Sequence, residues 1–150
     1  MENRINIFKN GQNAMNSLKG IGEYLAKCSI EHSLLDLVYF RVSQMNGCAF
    51  CLDMHSKDLR ANGETEQRLY ALNAWRDTPF FSDKESAAFT WAEAVTNCEV
   101  PDETYEEVRK HFSEEELIDL TLAVTTINTY NRLNIAFKPI VGTYKVGQFK

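Results

Sequence analysis

Apolar residues recur at steps of three and four along most of the chain, and alternation with a period of two is scarce. The clearest runs are Ala14, Leu18, Ile21, Leu25 and, further on, Leu34, Val38, Val42, Met45. This spacing places apolar side chains on one stripe of an α-helix. Pro79, Pro101 and Pro139 stand at the edges of the periodic segments rather than within them. The pattern predicts an all-α protein whose helices are joined by short loops.

Capping signals divide the chain into separate helices. The segments 82–85 and 113–116 both read Ser-x-x-Glu, the box in which a serine and a glutamate satisfy the free amides of a helix start. They predict helices that end near residues 96 and 137. A weaker match, Ser33 with Asp36, predicts the start of a helix that ends at the Asn-Gly pair 46–47.

A second Asn-Gly pair, at 62–63, predicts the end of a helix that holds residues from about Cys48 to Ala61. Further helices are predicted near residues 65–76 and 103–111. There is no internal repeat, no low-complexity tract and no long linker. We therefore expect a single domain, residues 1–150, built as a bundle of six or seven helices.

Charge and composition narrow the possible partners. The net charge is −5, and no segment gathers Lys and Arg without acids between them, which disfavours nucleic acid as a partner. No apolar run resembles a signal peptide or a membrane span, so we expect a cytoplasmic protein that does not bind membranes. Thiols are kept reduced in that compartment, and the four cysteines are therefore not a structural disulfide framework. A close cysteine pair there indicates redox chemistry or metal binding.

Such a pair is present in the segment 46–55, where Cys48, Cys51 and His55 are separated by three and four residues. On a helix these side chains share one stripe, and the preceding Asn-Gly break puts both sulfurs in the first turn. Free amides and the helix dipole favour a thiolate at that position. A thiolate attacks the O–O bond of a hydroperoxide, becomes a sulfenic acid and condenses with the second cysteine, after which an external dithiol restores it. His55 is suited to moving the protons.

Two simpler interpretations of the same residues stay open. Cys48, Cys51 and His55 are three possible zinc ligands, but a structural site needs four, and no second cluster stands nearby in the sequence. Alternatively, the cysteines are buried packing residues beside a helical histidine, which is how we interpret Cys28 and Cys98. We expect neither a metal ion nor a cofactor.

A longer set of motifs surrounds the cysteine pair. It comprises Val42 to His55, the Gly-Glu pair 63–64, and the segments 69–76, 81–82, 91–96 and 127–133. Together these motifs resemble the alkyl hydroperoxidase D (AhpD) core of the carboxymuconolactone decarboxylase superfamily. The resemblance covers about residues 34 to 138, and the combined motif is far more specific than CxxC alone.

This resemblance implies an all-helical fold that assembles as trimers or hexamers, and a peroxidase cycle. It implies that Cys51 reacts with the peroxide, that Cys48 resolves it and that His55 relays the proton. Family members carry a glutamate twelve residues before the first cysteine of the motif, where this chain has the shorter Asp36, so we expect a less efficient relay. Some members also have a histidine where Phe50 stands here. The reductants of the family are lipoyl-type or thioredoxin-like dithiols.

The sequence thus leads to a thiol-dependent peroxidase that reduces organic hydroperoxides or hydrogen peroxide. An alternative is a dithiol–disulfide exchange or redox-sensing module that acts on a partner protein. A third is a metal-binding or purely structural oligomer. Decarboxylation of a lactone is not expected, because decarboxylases of the family generally lack the cysteine pair.

Overall fold

A computed structural model describes residues 4–149, so residues 1–3 and 150 of the predicted domain lie outside the described part. Within it the chain forms eight α-helices and one 3-10 helix, and the predicted all-α class is confirmed. The elements are α1 (Ile7–Asn10), α2 (Gln12–Leu25), α3 (His32–Asn46), α4 (Ala49–Ala61), α5 (Glu66–Ala71), the 3-10 helix (Leu72–Asp77), α6 (Asp83–Asn97), α7 (Asp102–Val108) and α8 (Glu114–Phe137). The helix beyond the expected number is the single turn α1.

Both strong capping boxes are confirmed. Ser82 accepts the backbone N–H of Glu85 at 3.2 Å, and the Glu85 carboxylate accepts the backbone N–H of Ser82 at 2.7 Å. The same reciprocal pair joins Ser113 and Glu116 at the start of α8. These boxes satisfy orphan amides, which explains why α6 and α8 begin where the sequence predicted.

One local prediction is wrong. The helix α3 begins at His32 with Glu31 at the N-cap position, so Ser33 and Asp36 do not form a capping box. The Asp36 carboxylate instead accepts a hydrogen bond from the Asn62 side chain at 3.4 Å. The helix predicted near residues 65–76 is present, as α5 followed from Leu72 by the 3-10 helix.

The core is built around the three helices α3, α6 and α8. The helix α3 packs against α4, α6 and α8, and α6 also packs against α7 and α8. Phe89, Leu37, Leu72 and Leu120 are among the largest fully buried side chains. Because α3 and α8 are central and α4 packs on both, the end of α3 and the start of α4 are held on a rigid support.

A partly buried polar cluster around Glu93 joins α3, the 3-10 helix and α6. The Glu93 carboxylate accepts hydrogen bonds from Arg41 Nε at 2.8 Å, Trp75 Nε1 at 2.9 Å and Arg76 Nη1 at 2.7 Å. Burial opposes ionisation of Glu93, but the hydrogen bonds from Trp75, Arg76 and Arg41 outweigh it and hold its pKa below the usual value. The cluster fixes the relative positions of the three elements.

In the described residues 4–149, every helix is too short or too polar to cross a lipid bilayer.

Candidate active site

The turn between α3 and α4 positions the cysteine pair. Gly47 ends α3 in the left-handed conformation, with φ of 64° and ψ of 33°. A side chain at this φ is strained, and glycine is the residue that adopts it at little cost. The N–H of Cys48 then bonds to the carbonyl of Ser43 at 3.1 Å, which closes the end of α3. The chain reverses here, and α4 starts at Ala49 with Cys48 as its N-cap.

Cys48 and Cys51 are joined by a disulfide bond across the first turn of α4, with their Cα atoms 5.3 Å apart. The sulfur of Cys48 also accepts the backbone N–H of Cys51 at 3.4 Å. Cys48 is 1% exposed and Cys51 is 0% exposed. The predicted start of this helix is confirmed, and both sulfurs lie at its positive end, beneath the protein surface.

His55 lies one turn beyond Cys51 on α4 and is 8% exposed. The ring of Tyr39, from α3, packs against the imidazole with ring centroids 5.6 Å apart. Burial raises the pKa of the Tyr39 phenol, and the charge of Asp36 raises it further. Tyr39 therefore stays protonated at neutral pH beside His55.

Asp36, the fourth residue singled out from the sequence, lies on α3 one turn before Tyr39 and is half-buried. Its hydrogen bond from Asn62, the C-cap of α4, ties the start of α3 to the end of α4. The structure thus brings Cys48 and Cys51 into a covalent bond and buries His55 on their helix. Asp36 stands on the neighbouring helix, beside the tyrosine that contacts this histidine.

One residue at the site was not predicted from the sequence. Asn134, on α8, donates a hydrogen bond from Nδ2 to the sulfur of Cys51 at 3.3 Å and is only 7% exposed. The signal that points to it is the recurrence of asparagine at 128, 131 and 134, at steps of three residues in the second half of α8. This spacing places three amides on one face, and buried polar groups of that kind require partners.

The other two asparagines hold the end of α3. Asn46 Nδ2 donates to the side-chain oxygens of Asn128 and Asn131, at 2.9 Å in both cases. Asn131, which is fully buried, donates to the hydroxyl of Ser43 at 3.1 Å. These bonds clamp the last turn of α3 onto α8 immediately before the cysteine pair.

The segment after α8 packs against α4. The hydroxyl of Tyr144 donates to the buried carboxylate of Asp58 at 2.7 Å. Burial raises the pKa of Tyr144 to about 12, and the hydrogen bond to Asp58 adds to this effect. Gly142 donates its N–H to Asp53 at 3.1 Å. A cavity of 160 Å³ lies under this segment, and Phe50, one of the two residues between the cysteines, is part of its lining.

Within the described residues 4–149, no three side chains of the types His, Cys, Asp and Glu are grouped so that they could hold a metal ion.

The chain is similar to known proteins over most of its length. The sequence model of the carboxymuconolactone decarboxylase family matches residues 12–94. The protein YdfG of Bacillus subtilis (strain 168), itself uncharacterized, is 42% identical over 139 residues, which are 91% of this chain and 95% of that protein.

Solved structures have the same fold. A protein of unknown function from Agrobacterium tumefaciens, proposed to be the antioxidant defence protein AhpD, has a TM-score of 0.90 at 36% identity, over 95% of this chain and 100% of that chain. The debrominase Bmp8, in complex with 2,3,4-tribromopyrrole, has a TM-score of 0.80 at 20% identity, over 91% of this chain and 74% of that chain. The latter likeness concerns the fold alone.

Proposed function

Since the chain belongs to the carboxymuconolactone decarboxylase family as an AhpD-like member, we propose that it is a thiol-dependent peroxidase. It reduces organic hydroperoxides or hydrogen peroxide through a dithiol–disulfide cycle of Cys48 and Cys51. The observation that carries the proposal is the disulfide itself, buried at the start of α4 with His55 in the next turn. A buried disulfide at a helix N-terminus, beside a buried imidazole, is suited to redox chemistry.

In the first step the thiolate of Cys51 attacks the terminal oxygen of the hydroperoxide. The S–O bond forms and the O–O bond breaks, so the sulfur is oxidised to a sulfenic acid and an alkoxide leaves. The imidazole of His55 supplies the proton that converts the alkoxide to an alcohol. Asp36 assists His55 in this proton transfer from α3, the helix that packs beside the imidazole. Tyr39, one turn after Asp36 on α3, contacts the imidazole ring.

In the second step the thiolate of Cys48 attacks the sulfur of the Cys51 sulfenic acid, and hydroxide leaves as water. The backbone N–H of Cys51 points to the sulfur of Cys48 at 3.4 Å, which favours the charged form of this second nucleophile. The product is the disulfide seen in the structure.

An external dithiol then reduces the disulfide by thiol–disulfide exchange. In this exchange a thiolate of the donor must approach a sulfur along the S–S axis. Because both sulfurs are buried, a slender donor such as a lipoyl group is favoured over a thioredoxin-like protein, whose surface is broad. The same burial disfavours the alternative of disulfide exchange with a partner protein. The cytoplasm, which keeps such donors reduced, is the expected compartment.

The proposal includes a homo-oligomer, a trimer or hexamer. Tyr70 is 76% exposed and Ile118 is 68% exposed in the single chain. An interface between subunits would bury side chains of this kind. Sedimentation equilibrium measures the oligomeric state. A monomer at micromolar concentration would contradict the proposed trimer or hexamer.

Thiol counting combined with peptide mass spectrometry tests the reaction. One equivalent of hydrogen peroxide added to the reduced protein should remove two thiols and link the peptides that carry Cys48 and Cys51. With Cys48→Ser, the same treatment should remove one thiol and leave a sulfenic acid on Cys51, trapped by dimedone. Persistence of both thiols in the unmodified sequence overturns the proposal. Faster oxidation by a protein disulfide than by peroxide would favour the alternative.

A further inference from the structure

The amide of Asn134 has one atom engaged with the redox sulfur and one that is not. Its Nδ2 donates to Cys51 Sγ at 3.3 Å. Its Oδ1 is buried and accepts no hydrogen bond from residues 4–149. Both atoms are bonded to the same carbon, so the oxygen is farther from the sulfur than the nitrogen by no more than the width of the amide group.

A buried carbonyl oxygen without a donor destabilises the folded protein. The neighbouring amides on α8 do not carry this cost, because the side-chain oxygens of Asn128 and Asn131 both accept from Asn46. An acceptor that remains open beside a reactive sulfur indicates a ligand with a hydrogen to donate. Hydroperoxides have such a hydrogen on the oxygen that the thiolate attacks.

We propose that Asn134 is a catalytic residue of the peroxide reaction: Nδ2 holds the sulfur of Cys51, while Oδ1 accepts the O–H of the hydroperoxide. This inference rests on the proposed peroxidase function and names the group that recognises the substrate. The amide positions the terminal oxygen of the hydroperoxide beside the sulfur of Cys51, in the orientation that nucleophilic attack on the O–O bond requires. Atoms balance as in the first step above: the hydrogen stays on the oxygen transferred to sulfur, and the leaving alkoxide takes its proton from His55.

The test compares two reagents on one sulfur. In the Cys48→Ser background, the rate at which Cys51 is modified is measured with cumene hydroperoxide and with methyl methanethiosulfonate, which reacts with thiolates but has no O–H or N–H. Peptide mass spectrometry separates Cys51 from Cys28 and Cys98.

Asn134→Leu removes both amide groups and keeps the approximate shape of the side chain. It should lower the hydroperoxide rate about thirtyfold, as expected for loss of one orienting hydrogen bond in a transition state. The methanethiosulfonate rate should stay within about threefold, because that reagent makes no bond to Oδ1. Asn134→Ala removes the same groups without adding apolar volume and should show the same split if the leucine variant folds poorly.

The matched control is Asn97→Leu, the same change at an exposed amide at the end of α6 that does not contact Cys51, and it should leave both rates within about twofold. Equal losses with the two reagents in the Asn134 variants, or no loss at all, overturn the role of Asn134 alone. If the Cys48→Ser protein with Asn134 intact reacts with methanethiosulfonate and not with any hydroperoxide, the proposed function and this inference both fail.

Discussion

The polar cluster around Glu93 and the polar cluster around Cys51 each link helices in the interior, yet they differ in how far their hydrogen bonds are satisfied. The carboxylate of Glu93 uses both oxygens, with donors from Arg41, Trp75 and Arg76. Within residues 4–149, no buried side-chain atom of that cluster lacks a hydrogen-bond partner. Its role is to hold three elements together.

The cluster around Cys51, which consists of this cysteine and Asn134, has fewer of its possible hydrogen bonds formed. Asn134 gives one hydrogen bond to a sulfur, which is a weak acceptor, and its Oδ1 accepts none from residues 4–149. Buried polar groups cost stability when they lack partners. A polar cluster whose hydrogen bonds are all formed stabilises the fold. A polar cluster with a buried hydrogen-bonding group left over marks the place where chemistry is expected.

The largest effect should follow from removing the reactive sulfur. Cys51→Ser should lower peroxide turnover at least about a thousandfold, because a hydroxyl does not replace the thiolate as a nucleophile. The measurement is peroxide-dependent oxidation of dihydrolipoamide. The control is Cys98→Ser, which changes an exposed thiol at the end of α6 and should retain full turnover. Normal turnover in Cys51→Ser would show that the cluster around Cys51 takes no part in the reaction.

Replacing the imidazole should have the next largest effect. His55→Gln should lower the peroxide rate about a hundredfold, which is typical for loss of a general acid or base. Stopped-flow measurement of thiol loss in the reduced protein checks this. His111→Gln, at a half-buried histidine after α7, serves as the control and should react at the rate of the unchanged chain. Equal rates in the two variants would contradict a proton role for His55.

The Glu93 cluster should show the opposite behaviour, with a loss of stability and no loss of reactivity. Glu93→Leu leaves Arg41 and Trp75 without their acceptor and should lower the free energy of unfolding by about 2 kcal/mol, or about thirtyfold in the unfolding equilibrium. Urea denaturation measures this, and the peroxide rate of the folded protein should stay within about twofold.

The control for that variant is Glu107→Leu. Glu107 forms an exposed pair with Lys110, and its loss should leave the free energy of unfolding almost unchanged, because exposed ion pairs contribute little to stability. A marked fall in peroxide rate in Glu93→Leu would show that the two clusters are coupled, and the division of roles drawn above would be wrong.

The smallest effect concerns the hydrogen-bonded pair formed by Tyr144, in the segment after α8, and Asp58, on the same helix as Cys51. The pKa of Tyr144 is raised from 10.0 to about 12. Its contribution to stability is therefore complete below pH 10 and lost as the pH rises through 12, because the folded chain holds a proton that the unfolded chain releases.

Tyr144→Phe should lower the free energy of unfolding by about 1 kcal/mol at pH 7. The difference from the unchanged chain should shrink between pH 10 and pH 12. Urea denaturation at pH 8, 10 and 11.5 measures it, with Tyr70→Phe as the exposed control. A difference that stays constant over this range would contradict the role assigned to the Tyr144 hydroxyl.

The helical class was predictable because the signals that define it are local. The apolar period, the serine boxes at 82 and 113, and the Asn-Gly breaks act within a few residues of their own position. The prediction failed at Ser33, where the helix starts one residue before the expected cap and Asp36 bonds to Asn62, 26 residues away. A long-range partner took the place of the local one.

The sequence by itself determined the pairing partner of Cys48, since a separation of three residues at the start of a helix leaves Cys51 one turn away. It also determined the position of His55 on the same helix. Only the tertiary structure decided that Tyr39 would pack on this imidazole and that Asn134, 83 residues after Cys51, would donate to its sulfur. Such contacts depend on how α3, α4 and α8 cross, and no short-range pattern in the chain specifies that packing.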